Sequence, residues 1–150
     1  MIVVEPANPL DDQPAALLAE AQALQAAIYP PENNHALPTE ALAAPDIRFF
    51  AAREGDRVLG VGALALRNGY GEVKAMFTSD AARGKGVAAA LLRMIEDTAR
   101  DEGLPHLYLE TGDELEAAVR LYDRFGFARC GPFGDYVEDG SSVFMTKDLI

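Results

Sequence analysis

The sequence contains a single cysteine, Cys130, and no tryptophan. One thiol excludes an internal disulfide, and scarce cysteine is typical of proteins kept in a reducing compartment. The N-terminus lacks the basic region and apolar core of a secretory signal, and no apolar run approaches the length that crosses a bilayer. These absences predict a cytoplasmic protein with no membrane partner.

Basic residues are also scarce, since 13 lysines and arginines stand against 24 acidic residues, giving a formal net charge of −11. Nucleic-acid binding relies on clustered basic side chains, so we expect no nucleic-acid partner. The histidines, the cysteine and the carboxylates show no metal-ligand spacing, so no metal is expected. The length of 150 residues, 49% of them hydrophobic, predicts one domain over residues 1–150 with a sizeable core.

Hydrophobic periodicity and turn residues divide the chain into seven strands and four helices. The strands are predicted at Ile2–Glu5, Ile47–Arg53, Val58–Leu66, Glu72–Thr78, Leu107–Thr111, Phe127–Cys130 and Val143–Leu149, and the helices at Asp11–Ile28, Thr39–Ala43, between Gly84 and Gly103, and at Glu114–Phe125. The order β-α-α-β-β-β-α-β-α-β-β places hairpins around a central β-α-β unit. It predicts an α/β (α+β) fold with a mixed, mainly antiparallel sheet and helices on its faces.

Two of the predicted helices carry apolar stripes that we expect to face the sheet. The stripe of the first helix comprises Leu17, Ala21, Leu24 and Ile28, and that of the long central helix comprises Val87, Leu91, Ile95 and Ala99. On the third strand, Gly60 and Gly62 permit close approach of another backbone.

The segment Arg83–Ala88 joins the strand that ends near Thr78 to the central helix. Free backbone N–H groups and the helix dipole favour an anion at such a helix start. Gly84 and Gly86 remove side chains that would block a phosphate, while Arg83 and Lys85 add two cations to an acidic chain. Taken alone, the segment is equally consistent with an ordinary strand-to-helix loop.

Three motifs in register resemble the GNAT superfamily of N-acetyltransferases. Arg83-x-x-Gly86-x-Ala88 matches the signature Q/R-x-x-G-x-G/A, and residues 72–78 before it resemble the central strand of that superfamily. Residues 118–127 resemble its A-x-x-L-Y-x-x-x-G-F element. The resemblance covers nearly all 150 residues. The segments Gly131–Tyr136 and Ser142–Met145 are also similar to small bacterial members with G-P-F-G-x-Y and S-V-F-M motifs.

The resemblance implies transfer of an acetyl group from acetyl-CoA to an amine. The strand Glu72–Thr78 would splay from Leu107–Thr111 and open a slot for CoA. The implied CoA contacts are the main chain of Met76, Phe77 and Thr78 and the amides of Arg83, Gly84, Lys85, Gly86, Val87 and Ala88. Tyr122 stands at the general-acid position. Leu115 replaces an asparagine found in many members, which leaves one CoA contact in doubt.

The general base stays open between Glu72, Glu110 and a water relay. In a regular strand Glu72, Lys74, Met76 and Thr78 would share one face, whereas a bulge would break that parity. Glu72 is also consistent with a solvated residue paired with Lys74.

We place the acceptor pocket between the loop Tyr29–Pro38, the end of the strand Glu72–Thr78 and the segment Phe133–Tyr136. Its candidate residues are Tyr29, Glu32, His35, Phe133 and Tyr136. The alternatives are a surface histidine and packing of a late hairpin. A catalytically inactive acyl-CoA-sensing module is the competing function, and Tyr122 favours the enzyme. The sequence leaves open the acceptor and the oligomeric state, a homodimer included.

Overall fold

The computed structural model describes residues 1–150. The strands and helices are β1 Ile2–Pro6, α1 Asp12–Ile28, β2 Ile47–Glu54, β3 Arg57–Leu66, β4 Gly71–Thr78, α2 Val87–Asp101, β5 His106–Gly112, α3 Glu116–Arg124, β6 Ala128–Cys130 and β7 Ser142–Asp148. Short 3₁₀ helices lie at Pro31–Asn33, Thr39–Ala43 and Asp80–Ala82. The predicted order of elements is confirmed, and the short second helix is of the 3₁₀ type.

The seven strands form one sheet in the order β1-β2-β3-β4-β5-β7-β6. Only β4 and β5 run parallel, and every other neighbouring pair is antiparallel. The parallel pair is joined through α2, as a β-α-β unit requires. The predicted mixed, mainly antiparallel α/β fold is therefore confirmed. None of the helices combines the length and the apolar character needed to cross a membrane.

Helix α2 covers one face of the sheet with the stripe that the sequence predicts. Leu91, Ile95 and Ala99 are fully buried and Val87 nearly so. The helix lies close to β3, because a Cβ atom at Gly60 would stand 2.6 Å from Val87 Cγ1. The close approach at this glycine is therefore to a side chain of α2, where the prediction was approach of another backbone.

Helix α1 covers the opposite face with a shorter apolar stripe than predicted. Leu17 and Leu18 pack in a second buried cluster that includes Val61. The side chains of Leu24 and Ile28, expected in the stripe, are 41% and 37% exposed. The prediction fails there because the C-terminal half of α1 borders an open pocket and not the sheet.

Strand β4 contains a bulge. Val61 pairs with Phe77 and Ala63 with Lys74, so the single residue between them on β3 faces two residues of β4. Ala75 has φ 59°, the only positive φ outside glycine. An extra residue reverses which face the following side chains occupy.

The bulge therefore breaks the parity of a regular strand. Glu72 and Lys74 lie opposite Ala65 and Ala63, on the α1 face of the sheet. Met76 instead packs in the α2 core, and a Cβ atom at the facing Gly62 would stand 2.6 Å from its sulfur. Glu72 and Met76 thus point to opposite faces.

Candidate active site

Strands β4 and β5 separate soon after they begin. Their only paired positions are Gly71 with Leu107 and Glu72 with Tyr108. Beyond Glu72 the two strands diverge, so the rest of β4 has hydrogen-bonding groups along one edge with no strand beside them. The predicted splay is confirmed.

The loop before α2 leaves several backbone amides unused. Gly84 and Gly86 adopt φ of 81° and 78°, and Gly86 caps α2 without any side-chain cap. No protein acceptor receives the N–H groups of Gly86, Val87, Ala88 and Ala89. A Cβ atom at either glycine would meet nothing within 4 Å. The helix start is therefore an open cradle of free amides, an arrangement that suits an anion.

Two cations flank this cradle. The Arg83 and Lys85 side chains are 64% and 50% exposed, and each forms an ion pair with an exposed carboxylate, at 3.1 and 3.5 Å. Such exposed pairs contribute little to stability, so both side chains are available to an anionic ligand.

A pocket of about 120 Å³ lies where β4 and β5 diverge. It is bounded by α1, the loop after α1, both strands and α3. Of the predicted site residues, Tyr29, His35, Met76, Glu110 and Tyr122 line it. Other lining residues are Gln22, Gln25, Asn33, Lys74, Thr111, Leu115 and Ala118. Glu32, Glu72, Phe133 and Tyr136 are not among the lining residues.

The Tyr122 side chain reaches the pocket from α3. The residue is 5% exposed, and its ring packs edge-on against Phe127 with centroids 5.7 Å apart. Burial raises the pKa of the Tyr122 phenol, and the charge of Glu110 adds to the rise. The hydroxyl forms no hydrogen bond with the protein. Tyr122 is thus protonated at neutral pH and has a free proton donor at the pocket.

Glu110 faces the same pocket from β5. Ser142 Oγ donates a hydrogen bond of 2.7 Å to its Oε2. Burial raises the pKa of the Glu110 carboxyl, while the bond from Ser142 and the charges of His35 and Lys74 act in the opposite direction. A carboxyl with a raised pKa is a stronger proton acceptor than an exposed one.

Glu72 lies beneath the pocket in a buried ion-pair network and is 3% exposed. It accepts hydrogen bonds from Tyr136 Oη at 2.6 Å and Arg67 Nε at 3.3 Å, and Lys74 Nζ is 3.5 Å away. Burial and the bond to Glu72 raise the pKa of Tyr136. Both oxygens of Glu72 therefore already have partners within the protein.

Tyr29 and His35, both predicted to bind the acceptor, line the pocket. Tyr29 is buried; its hydroxyl donates to Asp113 Oδ1 at 3.1 Å and accepts the Glu114 amide at 2.8 Å. His35 Nε2 lies 3.0 Å from Asp139 Oδ2. Glu32 is exposed.

Phe133 and Tyr136 pack into an aromatic cluster under the sheet edge. Their ring centroids are 4.9 Å apart, and Phe144 lies 5.9 and 5.7 Å from them. Sequence reasoning left packing open as the alternative to substrate binding, and the contacts of both rings are those of packing. Tyr136 nevertheless accepts a bond of 2.9 Å from Lys74, a pocket residue.

Sequence reasoning missed the polar residues that support the pocket. The sequence indicates Lys74 only as a neighbour of Glu72, and it indicates no role for Asp139 or Ser142. The sole local signal is the turn sequence Asp139–Ser142 before the last strand. Nothing in it indicates a contact with His35, which is 104 residues away in the chain.

Comparison with known proteins agrees with this geometry. Residues 17–127 match the model of the acetyltransferase (GNAT) family. An IAA acetyltransferase of Azospirillum brasilense is 46% identical over 144 residues, covering 95% of this chain and 94% of the relative. A solved structure from Klebsiella pneumoniae, provisionally described as an acyl-CoA N-acyltransferase, is 31% identical, with a TM-score of 0.85 and coverage of 100% and 99%.

A second solved structure contains a ligand. The PaiA N-acetyltransferase of Thermoplasma acidophilum, solved in complex with coenzyme A, is 17% identical over 99% of both chains, with a TM-score of 0.76. At that identity it shows the shared fold alone. The family-model match, the 46% identical relative and the splayed β4–β5 pair place the chain in the GNAT family of acetyltransferases.

Proposed function

We propose that residues 1–150 form one catalytic domain that transfers the acetyl group of acetyl-CoA directly to an amine. One observation carries the proposal: the pocket between the diverging strands is lined by both Tyr122 and Glu110. A proton donor and a proton acceptor from different elements thus meet beside the free edge of β4. An inactive sensing module would need neither group.

The loop before α2 fits the pyrophosphate of CoA. Its unpartnered amides, from Gly86 to Ala89, can bind phosphate oxygens, and the dipole of α2 favours the negative charge. Arg83 and Lys85 add positive charge at the rim. This segment includes the predicted residues Gly84, Val87 and Ala88.

The free edge of β4 fits the pantetheine arm. Ser79 N–H donates to Leu59 O at 2.9 Å on the β3 side. Hydrogen-bonding direction alternates along an antiparallel pair, so the Phe77 amide also points to β3. The Thr78 amide then points toward the slot. This register supports Thr78 over Phe77 as the donor that polarises the thioester carbonyl.

The proposed reaction moves three protons. Alkyl amines are mostly charged near neutral pH, so Glu110 takes a proton from the ammonium group before attack. The neutral nitrogen then forms a bond to the thioester carbon and releases its second proton to water, and the carbon–sulfur bond breaks. Tyr122 donates its proton to the departing sulfur and is reprotonated by water. Burial keeps the Tyr122 pKa above its ordinary value, which ensures that the proton is present.

The acceptor is tested with a panel of amines. The panel comprises L-lysine, spermidine, phenethylamine and a short peptide with a free N-terminus. IAA is tested beside these amines because it appears in the name of the Azospirillum relative. Release of CoA thiol from acetyl-CoA is measured with and without each compound. We expect at least one amine to accelerate release well above the amine-free rate. No acceleration by any primary amine, under conditions where acetyl-CoA binds, would contradict the proposal.

The variant Gly86→Glu tests whether the loop before α2 binds acetyl-CoA. It places a bulky negative side chain where the pyrophosphate would lie, at a residue with φ 78°. Acetyl-CoA binding, measured by calorimetry, and amine-dependent thiol release should both be lost. Wild-type affinity in Gly86→Glu would refute the assignment of the loop.

A further inference from the structure

A chain of polar side chains connects Glu110 with His35, two residues that line the pocket. It passes through Ser142 at the start of β7 and Asp139 in the segment before it. Ser142 Oγ lies 2.7 Å from Glu110 Oε2 and 3.2 Å from Asp139 Oδ2. The same Asp139 oxygen lies 3.0 Å from His35 Nε2. Glu110 and His35 line the pocket, whereas Ser142 and Asp139 do not.

Asp139 is held by two backbone amides outside the pocket as well as by His35. Its Oδ1 accepts the amides of Ser141 and Ser142 at 2.9 and 2.8 Å. Its side chain is 13% exposed. The hydrogen bond with His35 is the largest cause that holds the pKa of Asp139 below its ordinary value, and the two amides add to it. Asp139 is therefore a permanent hydrogen-bond acceptor.

The Ser142 hydroxyl has one proton and two carboxylates within reach. While Glu110 is ionised, the proton points to Glu110, the nearer of the two. When Glu110 is protonated, its own O–H can donate to Ser142 Oγ, and the serine proton can turn to Asp139. Glu110 then has a hydrogen-bond partner in both of its protonation states, although it is buried.

We propose that Ser142 and Asp139 are positioning residues for the Glu110 carboxyl, an inference that rests on the proposed function. They hold the carboxyl in place before and after it takes a proton from the amine, and His35 holds Asp139. The proton moves from the amine nitrogen to a Glu110 oxygen, and Ser142 keeps a single proton throughout. No oxidant or further reactant is needed.

All titratable groups that face Glu110, charged or neutral, bear on its titration. They are Lys74 from β4, Tyr122 from α3, His35 from the loop after α1, and Asp139 and Tyr136 from the segment before β7. Helix α1 presents no charged side chain to the pocket. One substitution at Ser142 and one at Asp139 should shift the pKa of Glu110 in opposite directions.

The variant Ser142→Ala removes the donor that stabilises the Glu110 carboxylate, so the pKa of Glu110 should rise. The variant Asp139→Asn keeps Oδ1 for the two amides but replaces the other oxygen with a donor. Ser142 is then held as a donor to Glu110, and a neighbouring negative charge is lost. The pKa of Glu110 should fall. Each change should amount to about one pH unit, since a hydrogen bond to a charged group is of that size.

The titration is measured directly by ¹³C NMR of protein labelled at the glutamate carboxyl carbon, with the Glu110 signal identified by its loss in Glu110→Gln. This readout needs no acceptor. Thr146→Val removes another hydroxyl of β7, which donates to Leu107 O and contacts neither Glu110 nor Asp139, and should leave the titration unchanged. Ser142→Thr retains a hydroxyl and should restore the wild-type titration.

The pH profile of turnover provides the second readout, with acetyl-CoA and the fastest amine of the panel. Turnover requires ionised Glu110, so its acidic limb should move to higher pH in Ser142→Ala and to lower pH in Asp139→Asn. Unchanged titrations, or shifts in the same direction, would overturn the inference. Opposite NMR shifts in a protein that acetylates no amine would instead uphold the inference about the carboxyl and refute the proposed function. If Asp139→Asn does not fold, the Ser142→Ala and Ser142→Thr pair decides the result.

Discussion

Replacing Tyr122 by phenylalanine separates proton donation from packing. The substitution keeps the ring that lies against Phe127 and removes only the hydroxyl. If Tyr122 protonates the departing sulfur, turnover should fall by ~10²–10⁴, the usual contribution of general acid catalysis. Acetyl-CoA affinity should hardly change, because the loop before α2 and the free edge of β4 are untouched.

The stability of the variant follows from the hydrogen-bond inventory. The Tyr122 hydroxyl has no protein partner, so its removal breaks no intramolecular hydrogen bond. The free energy of unfolding should therefore change by less than about 1 kcal/mol, the typical net value of one such bond. For a chain of this length that corresponds to a shift in Tm below about 4 °C. A large loss of turnover with this small shift assigns the effect to chemistry.

Single-turnover thiol release and calorimetric Tm measurement test both halves of the prediction. Tyr108→Phe is the matched control, because Tyr108 lies in the aromatic cluster outside the pocket and its hydroxyl also forms no hydrogen bond. That variant should retain wild-type turnover. If Tyr122→Phe turns over within about threefold of wild type, a loss too small for acid catalysis, another group or water protonates the sulfur.

Other substitutions test the base and the acceptor wall. Glu110→Gln should reduce turnover ~10²–10⁴-fold with little effect on Tm. Glu72→Gln should mainly lower Tm, because it removes the ion-pair partner of Lys74, whose side chain is 10% exposed. Equal turnover losses of the two variants in steady-state assays would reject that assignment. Gly112→Ala would drive a methyl group into the Tyr29 ring. Overpacking of this kind should cost about 1–3 kcal/mol in urea unfolding and displace Tyr29 from the pocket, and wild-type stability would show that the ring yields freely.

The parts of the fold that follow from local spacing were predictable. The α2 stripe repeats every three or four residues, and its members are buried as expected. The loop before α2 depends on two glycines and a helix start, which are local features of the sequence. The splay of β4 from β5 was predicted from family resemblance and not from any residue, since no sequence pattern marks the point at which two paired strands separate.

Features that depend on distant contacts were not predictable. Ala75 has no special preference for positive φ, and the bulge that it forms depends on how β4 meets β3. The contact of His35 with Asp139 joins two irregular segments, and irregular segments have no periodicity from which to infer a neighbour. The exposure of the C-terminal end of α1 was unpredictable for the same reason. Its apolar residues are regularly spaced, but the sheet beneath that end gives way to a pocket.

The candidate site depends on two irregularities of β4. A strand that stayed paired with β5 beyond Glu72 would have no free edge for an added hydrogen-bonding chain. A strand without the extra residue at Ala75 would direct Met76 to the same face as Glu72 and Lys74, away from the α2 core. A non-glycine residue at φ 59° costs of order 1–3 kcal/mol and persists only where surrounding packing enforces it. Here the packing of Met76 against Gly62 provides that enforcement, so the core on the α2 face helps to shape the pocket on the other.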